Sequence, residues 1–344
     1  MCTYRCYHQR PDAQPNSLTG ATTRARKCSA YCENFEVHLL DHHIYLSDCG
    51  SRPVNELEVL SQLLAERAAF SNPSITAENF QKFTEMHKGV HDESDVMSRI
   101  FPLLYGSAAT GHQHDVRFIQ MAPIAGEGLT AAQPNFLDGS KLEDLNRKVH
   151  EDLFSVISPR ASLRVPTVPK FCTEVKGPHG SLPVLMRQVC FDGAHGARAM
   201  HSLQNYSLNE PTYDGNAYTY SATYHPESGV LRVYMHHVTE PTASDGLPQY
   251  HMTLVGSWLM IGDLRSFQNG ITAFRNARDL AKRHREAFIE AANARTEQTV
   301  TELTWETSSS LKRPRHDESL ECAPVKRRRG SVSPNPSRVF AHDV

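Results

Sequence analysis

Glu174 and Lys176 stand two residues apart at the end of a short apolar run, Pro169-Lys170-Phe171-Cys172-Thr173-Glu174-Val175-Lys176-Gly177-Pro178. In a strand, that spacing points both side chains to one face. Burying a carboxylate beside an ammonium costs desolvation at each charge, so the pair is a poor device for stability alone. It suits a site in which the carboxylate holds a divalent metal and the Lys orients a water or steadies charge on a phosphate. The competing reading is a satisfied ion pair at a strand end.

The elements around the pair must form a scaffold that positions it. Residues 116–121 and 133–139 read as strands, the second stopping at Asp138-Gly139. Ser140 opens a helix to about residue 157, with Leu142, Leu145, Val149, Leu153 and Phe154 at helical spacing. After the strand ending at Glu174-Val175-Lys176, a helix runs over about 183–206. Its middle, Gly193-Ala194-His195-Gly196-Ala197, is small enough to pack close against a sheet. Residues 217–224, 230–238 and 250–261 read as strands, the first two joined by a hairpin at 225–229. A long helix follows over 264–294. Upstream, helices are predicted over 54–69, 76–88 and 92–104, as a lead-in rather than a source of chemistry. The class implied is α+β, with a mixed central sheet flanked by helices. The boundaries are an N-terminal Cys-containing arm (1–34), the helical lead-in (35–110), the core (111–295) and a tail without ordered structure (296–344).

Composition narrows the function classes. The 344 residues carry a net charge of -2, so no global basic field marks a nucleic-acid binder. Mean hydropathy is -0.47, and no apolar run is long enough to cross a bilayer. The first residues lack the apolar core of a secretory leader, so a reducing compartment and free thiols are expected. Cys2, Cys6, Cys28 and Cys32 form two C-x-x-x-C pairs, a looser spacing than zinc ligands usually have. His112-Gln113-His114 lacks the further ligands of a zinc hydrolase. There is no nucleophile elbow, phosphate-binding Gly-rich loop or dinucleotide fingerprint.

The blocks Glu174-Val175-Lys176-Gly177-Pro178, Arg187-Gln188-Val189-Cys190-Phe191-Asp192-Gly193-Ala194, Arg198-Ala199-Met200-His201-Ser202-Leu203, Asp214-Gly215-Asn216-Ala217-Tyr218 and Ala273-Phe274-Arg275-Asn276-Ala277-Arg278-Asp279 carry a resemblance. The chain resembles the PD-(D/E)XK, or restriction-endonuclease-like, superfamily, and within it a largely fungal family of uncharacterised proteins. The resemblance implies a restriction-endonuclease-like core and metal-dependent phosphodiester hydrolysis of nucleic acid, with Mg²⁺ or Mn²⁺. Glu174 matches the metal-binding carboxylate, the Val175 carbonyl is an added oxygen ligand, Lys176 is the water-positioning Lys, and Gln188 is the polar residue of the next helix. Where the related proteins have Pro-Asp, this chain has Pro134-Asn135. An Asn carbonyl brings no charge to a metal, and Asp138 is the alternative ligand. The second functional reading is a catalytically lapsed fold that binds nucleic acid or protein.

Two further features bear on partners. Arg275, Arg278, Lys282 and Arg285 lie along one flank of the last helix and, with Arg187, are candidate phosphate contacts; a solvated helix flank is the competing reading. In the tail, Lys312-Arg313-Pro314-Arg315 and Lys326-Arg327-Arg328-Arg329 have the spacing of a bipartite nuclear-import signal, which implies an import receptor and a nuclear location.

Overall fold

The computed structural model describes residues 27–47, 50–67, 75–106 and 111–310, with side chains to residue 298. Cys2, Cys6, Cys49 and both basic clusters of the tail lie outside the described residues. The chain parts into one compact unit, Met1–Thr299, and a second, Val300–Val344, whose described part is helical to Ser310.

The α+β class holds. Among the described residues, β1 (Ile44–Tyr45), β2 (His112–His114), β3 (Phe136–Ser140), β4 (Thr167–Val175), β5 (Ala217–His225), β6 (Val230–Thr239) and β7 (Gln249–Leu259) make one mixed sheet in the order β1-β7-β6-β5-β4-β3-β2. The strands β2, β3 and β4 pair antiparallel; β4 and β5 pair parallel. A parallel pair needs a crossover. The helix α7 (Leu182–Gln204) supplies it, with Pro183 in its first turn as expected. On β4 every residue is buried, and its side chains divide between two cores. Phe171 and Val175 join the core under the long helix α8 (Leu264–Ser310), and Cys172 joins the core under α7. Close packing of α7 on the sheet comes from its small residues. A Cβ on Gly193 would lie 2.0 Å from the His236 ring of β6.

The lead-in helices are α1 (Phe35–Asp41), α2 (Glu56–Leu64), α3 (Ala77–Lys88), α4 (Glu93–Asp95) and α5 (Phe101–Tyr105), with a π turn, Val96–Ile100, joining the last two. As predicted, Thr76 caps α3 by accepting from the Asn79 N–H. These helices are part of the core, not an appendage to it. Phe83, Ile100 and Phe101 are fully buried with Phe171 and Phe274.

Three sequence expectations are corrected. Residues 116–121 are not a strand; Val116, Phe118 and Met121 are buried by loop packing, with Phe118 N–H donating to the Ala132 carbonyl. The helix expected from Ser140 is the shorter α6 (Arg147–Ile157), capped by Asn146, whose side chain accepts from the Lys148 N–H. Finally, α8 does not stop near residue 295. Residues 296–310 contain no Pro or Gly to break it, and it continues to Ser310.

Candidate acidic site at the end of β4

The C-terminal end of β4 opens into a cavity of about 280 Å³. Such a position, outside the carboxyl end of a strand with a parallel neighbour, is where open α/β sheets place ligands. Glu174, Lys176, Gln188 and Asp192 line the cavity together with Glu93. Glu174 and Lys176 point to the cavity from adjacent positions of one strand face, as the spacing requires. Gln188 and Asp192 are four apart on α7 and so share one helix face.

Glu93 comes from the first residue of α4, and Gly177 explains how it gets there. A Cβ on Gly177 would stand 3.1 Å from both the Asp92 Cα and the Glu93 N. The Gly-Pro break after Lys176 therefore lets the start of α4 lie backbone-to-backbone against the end of β4.

Asn135, one residue before β3, ties the parts together. Its Oδ1 accepts from the Val175 N–H at 2.9 Å, and its Nδ2 donates to Glu93 Oε1 at 2.7 Å. The Lys176 ammonium donates to Glu93 Oε2 at 3.3 Å and to the Val175 carbonyl at 3.0 Å, and stands 3.8 Å from Glu174 Oε2.

The deepest groups are the least satisfied. Both oxygens of Glu174, Oδ2 of Asp192 and Oε1 of Gln188 are buried with no hydrogen-bond donor among the described residues. Two ionised carboxylates cannot bond to each other; Glu174 and Asp192 do so only when one holds a proton. Burial, followed by the charge of Asp192, pushes the Glu174 carboxyl well above the usual range. Burial pushes Asp192 up to about 7, with the bond to Glu174 and the Lys176 charge opposing it. Near neutral pH the pair therefore needs a proton or a cation.

Sequence reasoning missed Glu93 and Asp192. The four-residue spacing of Gln188 and Asp192 was the available signal for the second. Nothing local signals Glu93.

Other expected residues lie elsewhere. Asp138 is on the opposite face of the sheet, held by Arg278 through Nε to Oδ2 at 2.6 Å and Nη2 to Oδ1 at 2.9 Å. It is not available to a metal at Glu174. The expected phosphate-binding flank of α8 is mostly interior. Arg275 donates to the Leu104 and Leu103 carbonyls, and Arg285 donates to the Gly139 carbonyl; both are buried, like Arg278. Lys282 is exposed, 3.7 Å from Glu286. Arg187 faces the N-terminal segment, donating to the Ala30 carbonyl at 3.3 Å and lying 3.6 Å from Glu36. His112 and His114 pack their rings against Phe136. A larger cavity of about 780 Å³ lies between Gly111, Ser140, Arg147 and Arg164. Lys141 pairs with Glu143 and Arg147 with Glu151, and no carboxylate pair without a cation converges there among the described residues.

Exchanging the amide of Asn135 for a carboxylate tests this geometry. Asn135→Asp keeps the acceptor for Val175 but sets a carboxylate oxygen against Glu93 Oε1. Without divalent ions the variant is expected to lose about 1–3 kcal/mol of stability. With Mn²⁺ the loss is expected to shrink if a cation settles between the facing carboxylates and offsets their repulsion. An unchanged melting temperature in chelator would show that the Asn135–Glu93 contact is not made.

No protein-family model, curated protein or solved structure matches the chain.

Proposed function

We propose that the chain is a nuclear protein with a PD-(D/E)XK-like nuclease domain, a Mg²⁺- or Mn²⁺-dependent phosphodiesterase acting on nucleic acid. One observation carries the reading: two buried carboxylates, Glu174 and Asp192, lie side by side, bonding to each other only through a shared proton, with Lys176 beside them. A hard cation is the partner such oxygens lack. Glu174 and Asp192 would hold it, with Gln188 Oε1 and the Val175 carbonyl as neutral oxygens nearby. When bound, the ion would offset the carboxylate charge and make an attached water more acidic. Among the described residues no three His, Cys, Asp or Glu side chains are grouped to enclose a metal. Two carboxylates with neutral oxygens nearby are a donor set of the kind Mg²⁺ takes while keeping several waters. Lys176, held by Glu93 and the Val175 carbonyl, would hold a water or a phosphoryl oxygen beside Glu174. The resemblance of the Glu174 and Gln188 blocks supports the assignment of chemistry.

A second reading is a lapsed domain that keeps the fold for binding. The commitment of the Asn135 amide to Glu93, where the related proteins carry a carboxylate, favours it. Cleavage of single- and double-stranded DNA and RNA with Mn²⁺, beside Glu174→Ala, separates the two. The nuclease reading expects cleavage that falls by at least about 100-fold in Glu174→Ala. Absent cleavage with intact Glu174-dependent Mn²⁺ binding selects the lapsed reading. Cleavage unaffected by the change would sink the site. The nuclear location rests on the two basic clusters of the tail and an import receptor as partner. A fluorescent fusion that stays nuclear with Lys326, Arg327, Arg328 and Arg329 replaced by Ala would refute that signal.

A further inference from the structure

We infer that the site takes its substrate as an unpaired nucleotide, from a single strand or a frayed end, with the base stacked on Tyr31 and the phosphate toward Arg117. The inference rests on the nuclease reading and names the substrate class of the same cavity.

Three observations carry it. First, the cavity is small and bounded by a tethered segment. Ser29, Ala30 and Tyr31 line it together with the buried Glu174. Their segment is fastened at both ends, by Cys28 bonding to Gly128 and Thr130, and by the Arg187 bonds to the Ala30 and Cys32 carbonyls. A space of about 280 Å³ lies at the small end of small-molecule pockets. A base-paired duplex is far wider than such a space, and Glu174 at its floor is buried, so a nucleotide out of the stack is the form that fits.

Second, the lip combines an aromatic plane with a cation. Tyr31 is 69% exposed although it lines the cavity, and Arg117, also lining it, is exposed with no carboxylate partner among the described residues. Base stacking on an aromatic ring beside a phosphate-binding Arg is how single strands are held without regard to sequence. Third, charge runs from rim to floor. Arg117 stands at the mouth and the carboxylates Glu174 and Asp192 lie at the bottom, so a phosphate is drawn to the mouth and goes deeper only against a cation.

The test uses the full chain and a fluorescein-labelled 12-mer, single-stranded or paired with its complement, in Ca²⁺. Anisotropy is expected to show the single strand bound at least about tenfold tighter than the duplex. Tyr31→Ala should weaken single-strand binding about tenfold and Tyr31→Phe by less than about twofold, since the ring face is kept. Arg117→Gln should weaken both and flatten the salt dependence. Equal binding of the two forms, or no loss in Tyr31→Ala, with Mn²⁺ binding that still depends on Glu174 by calorimetry, overturns the unpaired-nucleotide inference and spares the cation site. Mn²⁺ binding that is absent, or indifferent to Glu174→Ala, removes the nuclease reading and this inference with it.

Discussion

Arg278→Ala is expected to cost about 3–5 kcal/mol, enough to unfold much of the protein at 37 °C. Its guanidinium meets both oxygens of Asp138, donates to the Tyr105 carbonyl and lies 5.0 Å over the Phe136 ring. Truncating it leaves the Asp138 carboxylate buried without its fork of donors. Lys170 is a poor replacement, because burial, then Arg285, already holds its ammonium down to about 7. The companion double change Asp138→Leu with Arg278→Met removes both charges and is expected to come within about 1–2 kcal/mol of wild type, since an apolar pair of similar volume fits the same space. Urea unfolding of the three proteins checks the pattern. A wild-type midpoint for Arg278→Ala would mean that the side chain is free to serve a ligand, as an Arg on an exposed phosphate-binding flank would be.

The second large effect is at Asp192. Its folded pKa, about 7, lies above the ordinary 3.8. Between those values the folded chain keeps a proton that the unfolded chain has lost. The contribution of the Asp192–Glu174 pair to stability therefore falls as pH rises from about 4 toward the folded value near 7. Asp192→Asn has nothing to ionise at that position and removes the charge that helps hold Glu174 up, so the pair's conflict of two carboxylates is gone. In chelator it should gain on wild type steadily from pH 5 to pH 8, and millimolar Mn²⁺ should close the gap by stabilising wild type alone. Buried His236 and His237, both lowered by burial to about 3, act in the opposite sense, losing stability as pH falls below about 6.5. They are common to both proteins and cancel in the difference. Equal stability differences at pH 5 and pH 8 would show that Asp192 does not keep its proton.

Periodicity located most of the core. The strand β4, the helix α7 with its small-residue middle, the run β5 to β7 and the start of α8 follow from alternation, helical spacing and Pro or Gly at their ends. The pair Glu174 and Lys176 was legible for the same reason, since a two-residue spacing has one meaning on a strand. Glu93 was not legible, because its place is set by a backbone contact at Gly177 between segments far apart in sequence. The α8 arginines misled for a related reason. Helical spacing shows that Arg275, Arg278 and Arg285 flank the apolar face, but not that α5 and β3 cover that flank with carbonyls and Asp138. The loop around Phe118 alternates apolar and polar residues like a strand, yet its burial comes from side-chain packing without a ladder.

The bridge from Asn135 to Glu93 also bears on the order of folding. It joins α4 to the β3–β4 edge, so it closes only after a helix and two strands distant in sequence have met, a late event by loop entropy. Glu174 and Asp192 lie on consecutive elements, β4 and α7, and can meet before it, but Glu93 joins the wall of their cavity only with that closure. A cation held in the completed cavity is then expected to bind after the main barrier. Divalent ions should then slow the escape from the native state and leave the rate of reaching it nearly untouched, so that the molecule's endurance, more than its speed of assembly, answers to its surroundings.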